Sequence, residues 1–227
     1  MSSVEFYFDP MCPWAYRTSL WMREVRRELG IDIRWRFLSL EEVNRPAGKK
    51  HPWEREWSYG WSQMRVGALL RRRGEDVLDR WYEAVGDSGF ERGEQYFTRH
   101  GQETVLERIG LPASLVREAL EDTTTSDEVY ADHEHVTRTF GGHGVPTIVF
   151  PAVEGCSAQA FFGPVVLTPP EGEAAVRLWH LVQGWREFPD LYEIRRPKTE
   201  QDVATIDATF ERYYQKRPWQ TVQKPAL

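Results

Sequence analysis

The sequence predicts an α/β fold in which one mixed sheet is split in two by a long helical insertion. Three features of the 227 residues carry that expectation. Residues 4–40 read as strand, helix, strand. Residues 62–141 keep helical spacing with no strand among them. Residues 145–184 then read as two strands and a helix.

Taken in order, "VEFYFDP" (4–10) is rich in β-formers and ends in a proline that cannot donate to a ladder, so the strand leaves the sheet at Asp9-Pro10. From Pro13, the residues Trp14, Leu20, Trp21, Val25 and Leu29 recur at helical intervals until Gly30 stops the run. "IDIRWRFLSL" alternates apolar and polar through Ile31, Ile33, Trp35 and Phe37, a second strand. Pro46, Gly48, Pro52 and Gly60 mark an irregular loop over 41–62. About four helices are then predicted, broken at Gly86-Asp87, Gly101, Gly110-Leu111-Pro112 and Gly141-Gly142, with Ser114 and Ser126 as caps. "VPTIVFP" (145–151) and "AQAFFG" (158–163) form a hairpin across the turn "AVEGCS". "PPEGEAAVRLWHLVQGW" is a helix with proline near its start and Gly184 near its end, and a charged tail carries a helix near 199–216.

With the insertion lifted out, β-α-β followed by β-β-α is the order of a thioredoxin-like fold. The expected division is a thioredoxin-like domain from 1–40 and 143–196, a helical insertion over 41–142, and a C-terminal helical extension over 197–227. No internal repeat or low-complexity segment is present.

A net charge of -6 and the lack of a long basic run argue against nucleic acid as a partner. Arg71, Arg72 and Arg73 read as a solvated helix face. Glu5 stands where an export signal would be basic, no apolar run is long enough to span a bilayer, and two cysteines cannot frame a disulfide scaffold, so a cytoplasmic location is expected. Of ten tryptophans, Trp53, Trp57 and Trp61 share a polar segment that does not look like core. They read as the lining of a binding groove, or as edge packing or a dimer contact.

Cys12 follows a strand and stands at the N-terminal end of the first long helix. Unpaired backbone N–H groups and the helix dipole stabilise an anion there, so a thiolate with a pKa drawn below about 8.5 is expected. Pro13 suits the first helical position, and Trp14 offers a face beside the sulfur. The position where a second cysteine would stand is Ala15. In "GHGVPTIVF" (142–150), Val145 precedes a proline at the start of a strand. In a thioredoxin-like fold this bond to Pro146 is cis and leaves the Val145 backbone to pair with an extended thiol ligand.

Cys156 falls in the turn at the far end of that strand, about 17 to 20 Å away, beyond disulfide reach, and reads as a turn residue. His133 and His135 are two apart and lie on different helix faces, so no zinc pair is expected. His143 either supports a thiolate as an imidazolium or is a plain loop histidine. A single sulfur cannot release a mixed disulfide internally. Cys12 therefore either forms one with a small thiol that a second thiol resolves, or its helix end activates a bound thiol cofactor.

"FDPMCPWAYRTSLW", "GVPTIVF", "AFFGPV" and "GEAAVRLWHLVQGW" together resemble the DsbA-like family that includes the mycothiol-dependent nitroreductases of actinobacteria, over roughly residues 4 to 196. More distantly, the layout is similar to kappa-class glutathione transferases and 2-hydroxychromene-2-carboxylate isomerases, where serine commonly stands at the position of Cys12 and glutathione is the cofactor. The resemblance implies a cytosolic homodimer in which Cys12 works with mycothiol, or another small thiol such as glutathione, to reduce an electrophilic or nitroaromatic compound. It implies that Trp14 and Asn44 hold thiol or substrate, with Trp53 or an equivalent among Trp57 and Tyr59 as the aromatic partner. The stretch Tyr82 to Phe90 lacks the histidine found there in some relatives. The leading expectation is a thiol-dependent oxidoreductase without a metal. The alternatives are a thiol-dependent transferase or isomerase with no net redox change, and a non-catalytic thiol- or partner-binding module.

Overall fold

Alternation places Val4, Phe6 and Phe8 on one face of the first strand, and that strand becomes the centre of the sheet. In the computed structural model, which describes residues 3–217, the strand order is β2-β1-β3-β4. β1 (Ser3–Phe8) runs parallel to β2 (Asp32–Phe37) and antiparallel to β3 (Thr147–Phe150), and β4 (Gln159–Phe162) pairs antiparallel with β3. The parallel unit and the hairpin thus share one sheet, as the element order predicts.

α1 (Pro13–Leu29) starts behind Cys12 and ends at Gly30, whose φ of 66° lets its N–H reach the Arg26 carbonyl. Its inner face packs on α8 (Gly172–Gly184). The fully buried Trp21 donates its indole N–H to the Ala175 carbonyl at 3.1 Å and lies 6.2 Å from Trp179. Phe6, Phe8, Trp35 and Phe37 interlock over the sheet, and Tyr82 stacks on Phe8 at 3.8 Å. Each such ring contributes roughly 2–3 kcal/mol by leaving water.

Between the two halves of the sheet lie α2 (Leu40–Val43), α3 (Trp61–Arg71), α4 (Glu75–Gly86), α5 (Arg99–Arg108), α6 (Leu115–Glu121) and α7 (Thr123–Phe140). The sequence predicts about four helices after residue 62, and the structure divides them differently. α3 and α4 separate at Gly74, and the expected break at Gly86-Asp87 is a π-turn that carries the helix on to Glu91. Gly101 lies inside α5 rather than ending a helix. Ser126 lies inside α7, where its hydroxyl accepts the Trp61 indole N–H at 2.9 Å, and the cap of α7 is Asp122.

Trp61 is also a correction to the tryptophan cluster. It is 1 % exposed and belongs to the core, because α7 closes over it from outside its own polar segment and Trp53 packs against its ring. α9 (Glu200–Lys216) ends the described chain. Among the described residues no helix is long and apolar enough to cross a membrane.

Candidate active site

Where β1 ends, Asp9 turns the chain toward α1. Its carboxylate accepts the N–H of Met11 at 2.9 Å and of Leu40 at 2.8 Å, so one side chain holds the exits of both β1 and β2. The Asp9 carbonyl accepts the Cys12 N–H at 2.9 Å. The residue is fully buried, and burial pushes its carboxyl up to about 7.

Cys12 is the N-cap of α1, and Pro13 occupies the first helical turn. The sulfur accepts the Ala15 N–H at 3.4 Å, and the thiol faces the Val145 carbonyl at 3.7 Å. Ala15 stands where a partner cysteine would, and it serves the sulfur through its backbone. The bond from Val145 to Pro146 is cis, as expected, and so is Gly163-Pro164. The carbonyl of Pro164 accepts the Thr18 hydroxyl at 2.8 Å, which ties the end of β4 to α1.

The expectation of a lowered Cys12 pKa is overturned. Burial pushes the thiol up to about 12, the Ala15 N–H opposes this, the Asp9 carboxyl adds to it, and the Trp14 N–H opposes it by less. The helix end is present as the sequence predicts, but Cys12 is only 7 % exposed, and two N–H groups do not replace the water that a thiolate loses.

Aromatic side chains from distant segments pack around the residues on either side of Cys12. The Met11 sulfur accepts the Gln63 amide at 3.0 Å and the Tyr96 hydroxyl at 3.7 Å, and the Met11 carbonyl accepts the Tyr213 hydroxyl at 3.1 Å. Phe90 packs against Tyr16, Tyr96 and Tyr213 at 4.9–5.5 Å between centroids. Phe210, fully buried, meets Trp14 edge to face at 5.2 Å. Burial holds the hydroxyls of Tyr82, Tyr96 and Tyr213 above their ordinary range, so all three stay protonated.

The other sequence-predicted residues spread around this centre. Tyr59 sits edge-on to Phe97 at 5.5 Å, and its carbonyl accepts the same Gln63 amide that reaches Met11. Asn44 is exposed and turns its amide back to the Leu40 carbonyl at 2.9 Å. Trp53 stacks on His51 at 4.4 Å and packs against Trp61 and Tyr130 on the α7 side, while Trp57 donates to the Phe97 carbonyl at 3.0 Å. His143 is exposed, with its ring 5.1 Å from that of Phe162. Cys156 bridges back to Val153 in the turn beyond β3.

Sequence reading missed Asp9 and Tyr96. The tripeptide "FDP" held the signal for Asp9, since a carboxylate at a strand exit is free to cap neighbouring N–H groups. Nothing local marks Tyr213 as a partner of Met11.

Comparison with known proteins follows the same lines. The family model described as Rv2466c-like, mycothiol-dependent nitroreductase Rv2466c, matches residues 11–196. An uncharacterized protein of Mycobacterium tuberculosis, Rv2286c, is 47% identical over 224 residues, 99% of this chain and 94% of its own. Among solved structures, a probable DsbA oxidoreductase, SCO1869 of Streptomyces coelicolor, superposes with a TM-score of 0.56 at 18% identity, over 89% of this chain and 97% of its own. The cytosolic disulfide reductase DsbM of Pseudomonas aeruginosa gives 0.56 at 14% identity, over 80% and 98%. A 2-hydroxychromene-2-carboxylate isomerase gives 0.56 at 16% identity, over 82% and 95%. With a DsbA-type thioredoxin-like sheet, a single cysteine capping its first helix and a family match across most of its length, this chain belongs to the Rv2466c-like family of thiol-dependent oxidoreductases.

Proposed function

We propose that the protein is a cytoplasmic, mycothiol-dependent reductase of small electrophilic or nitroaromatic compounds, with Cys12 as its reacting group. The observation that carries this reading is the position of the Cys12 sulfur, at the head of α1 and against the Val145 carbonyl. Two thiols passing to one disulfide supply two electrons and two protons, enough to take a nitro group to a nitroso group and water. Cys12 enters such a cycle as a thiol and leaves it as a thiol, so a second small thiol replaces the missing partner cysteine.

The chain's own groups have separate tasks. The N–H of Ala15 steadies charge on the sulfur. The Val145 and Pro146 backbone lies alongside it as a dock for an extended thiol. Trp14 forms one wall and Tyr59 a more distant one, with Asn44 and Trp53 as outer contacts of a thiol or substrate that reaches beyond the core. Cys156 has no part in the cycle. The glutathione complex of the DsbM neighbour supports a low-molecular-weight thiol as the kind of ligand this fold takes, and two free cysteines suit a reducing compartment. A homodimer is part of the same reading.

The test is Cys12→Ser. In a Cys156→Ser background, mass spectrometry after exposure to oxidised mycothiol or glutathione is expected to show an adduct on Cys12 and none once Cys12 is replaced, with thiol-dependent nitroaromatic reduction lost in parallel. A variant that keeps full reduction would sink the assignment. Turnover that consumes no thiol would instead favour the transferase or isomerase reading.

A further inference from the structure

We propose that α9 is a lid over Cys12: the cysteine is almost fully buried, Phe210 and Tyr213 hold the residues on either side of it, and a thiol gains entry when the helix lifts on its tether. The proposal deepens the reading of Cys12 as the reacting group and rests on it.

Four observations carry it. First, the contact is narrow and falls on the motif itself. Of the seventeen residues of α9, only Phe210 and Tyr213 are buried. Tyr213 grips the Met11 carbonyl just before the cysteine, and Phe210 covers Trp14 just after Pro13. In the chain, Cys12 lies between the two residues so held, Met11 and Trp14.

Second, beyond the partly buried Tyr214, the other ties are polar and lie toward the surface. Arg212 donates to the Glu91 carbonyl at 3.1 Å, and Arg17, whose guanidinium lies 6.0 Å from the Phe210 ring, pairs with the Glu91 carboxylate at 3.2 Å. Third, residues 188–199, which join α8 to α9, are all exposed and carry no regular structure. A segment with few buried apolar contacts and an exposed tether opens at the low end of the stability range.

Fourth, α9 is closed at its own N-terminus without help from the dock. The Thr199 hydroxyl accepts the Asp202 N–H at 3.2 Å, the Asp202 carboxylate accepts the Thr199 N–H at 2.8 Å, and Arg196 pairs with Asp202 at 3.1 Å. Such a helix moves as one piece. The family match ends at residue 196, so the lid is an addition to the part of the chain that carries the site.

The experiment uses the full chain in a Cys156→Ser background, where alkylation by iodoacetamide reports Cys12 alone. If reaction passes through an open form, its rate scales with the open population. Tyr213→Phe removes one hydrogen bond and is expected to raise the rate about 3- to 10-fold. Phe210→Ala removes the apolar anchor and is expected to raise it about 100-fold. Hydrogen exchange should quicken along α9 in both variants while α1 keeps its protection, which also shows that the chain remains folded. Quickened exchange in α9 with unchanged alkylation in both variants would overturn the lid. Should Phe210→Ala fail to fold, Tyr213→Phe alone decides. Variants that alkylate quickly yet form no mixed disulfide with mycothiol or glutathione would sustain the lid and sink the redox reading. Ready mixed-disulfide formation by the wild type, with neither variant faster in alkylation, would do the reverse.

Discussion

The two cysteines of this chain lie beyond opposite ends of β3, and each has what the other lacks. Cys12 sits in a cradle of helix N–H groups and a facing carbonyl, but is almost fully covered. Cys156 is half-buried in an otherwise exposed turn, with its sulfur 3.5 Å from the Arg186 guanidinium and 3.7 Å from the Gln159 side chain. The difference teaches that a helix N-terminus is not sufficient to make a reactive thiol. Access to water, or to a ligand that replaces water, decides whether the helix end wins over burial.

The largest expected effect breaks this comparison directly. In the resting wild type near neutral pH, Cys156 is expected to alkylate about 100-fold faster than Cys12 or more, because the Cys12 thiol is held up to about 12. Peptide mapping of a time course with a limiting reagent checks it, and comparable rates would show that the cover is open most of the time.

Two glycines sharpen it next. Gly86 on α4 packs directly under the Tyr16 ring of α1, where an added Cβ would collide with the aromatic carbons. Gly155, in the Cys156 turn, has open space around it but a φ of 77°. Gly86→Ala is expected to cost about 3 kcal/mol by overpacking beneath the site and to disturb Cys12. Gly155→Ala is expected to cost about 1 kcal/mol from backbone conformation alone and to leave Cys12 unchanged. Urea midpoints and Cys12 adduct formation separate these outcomes.

Asp9 has no counterpart near Cys156. Its folded pKa of about 7 lies above the ordinary 3.8, so its contribution to stability is full below about pH 4 and is lost as pH rises through 7. Asp9→Asn is expected to flatten the stability curve between those values. It should cost about 1 kcal/mol overall, since an amide oxygen cannot serve both the Met11 and Leu40 N–H groups as well as a carboxyl does. Because the Asp9 charge adds to the rise of the Cys12 thiol, the alkylation profile should also move to lower pH. Thermal melts across pH 4–8, paired with alkylation rates, provide the check. The smallest effect belongs to Cys156→Ser, expected to change stability by less than about 0.5 kcal/mol and to leave mixed-disulfide formation at Cys12 intact.

What sequence reading reached and what it missed divide by distance along the chain. The strand residues of β1 and β2, the start of α1 at Pro13 and its stop at Gly30 were legible because alternation, ring sterics and a left-handed cap act over a few residues. The pairing of Cys12 with Val145 was legible as well, since the β-α-β and β-β-α order places them together. Trp61 was misread because its own neighbours are polar while its partner Ser126 lies on α7. The extra helix boundary at Gly74 and the π-turn after Gly86 escaped because a glycine breaks a helix only where packing leaves the chain room to turn.

The sequence by itself determined the layout of the sheet, the placing of one cysteine at a helix head and the family to which those motifs belong. Only the tertiary structure decided how much water reaches that cysteine. Its state depends on Tyr213 meeting Met11 across 202 residues of chain and on Phe210 closing over Trp14, and burial at that range is a property of the packed whole that no local pattern encodes.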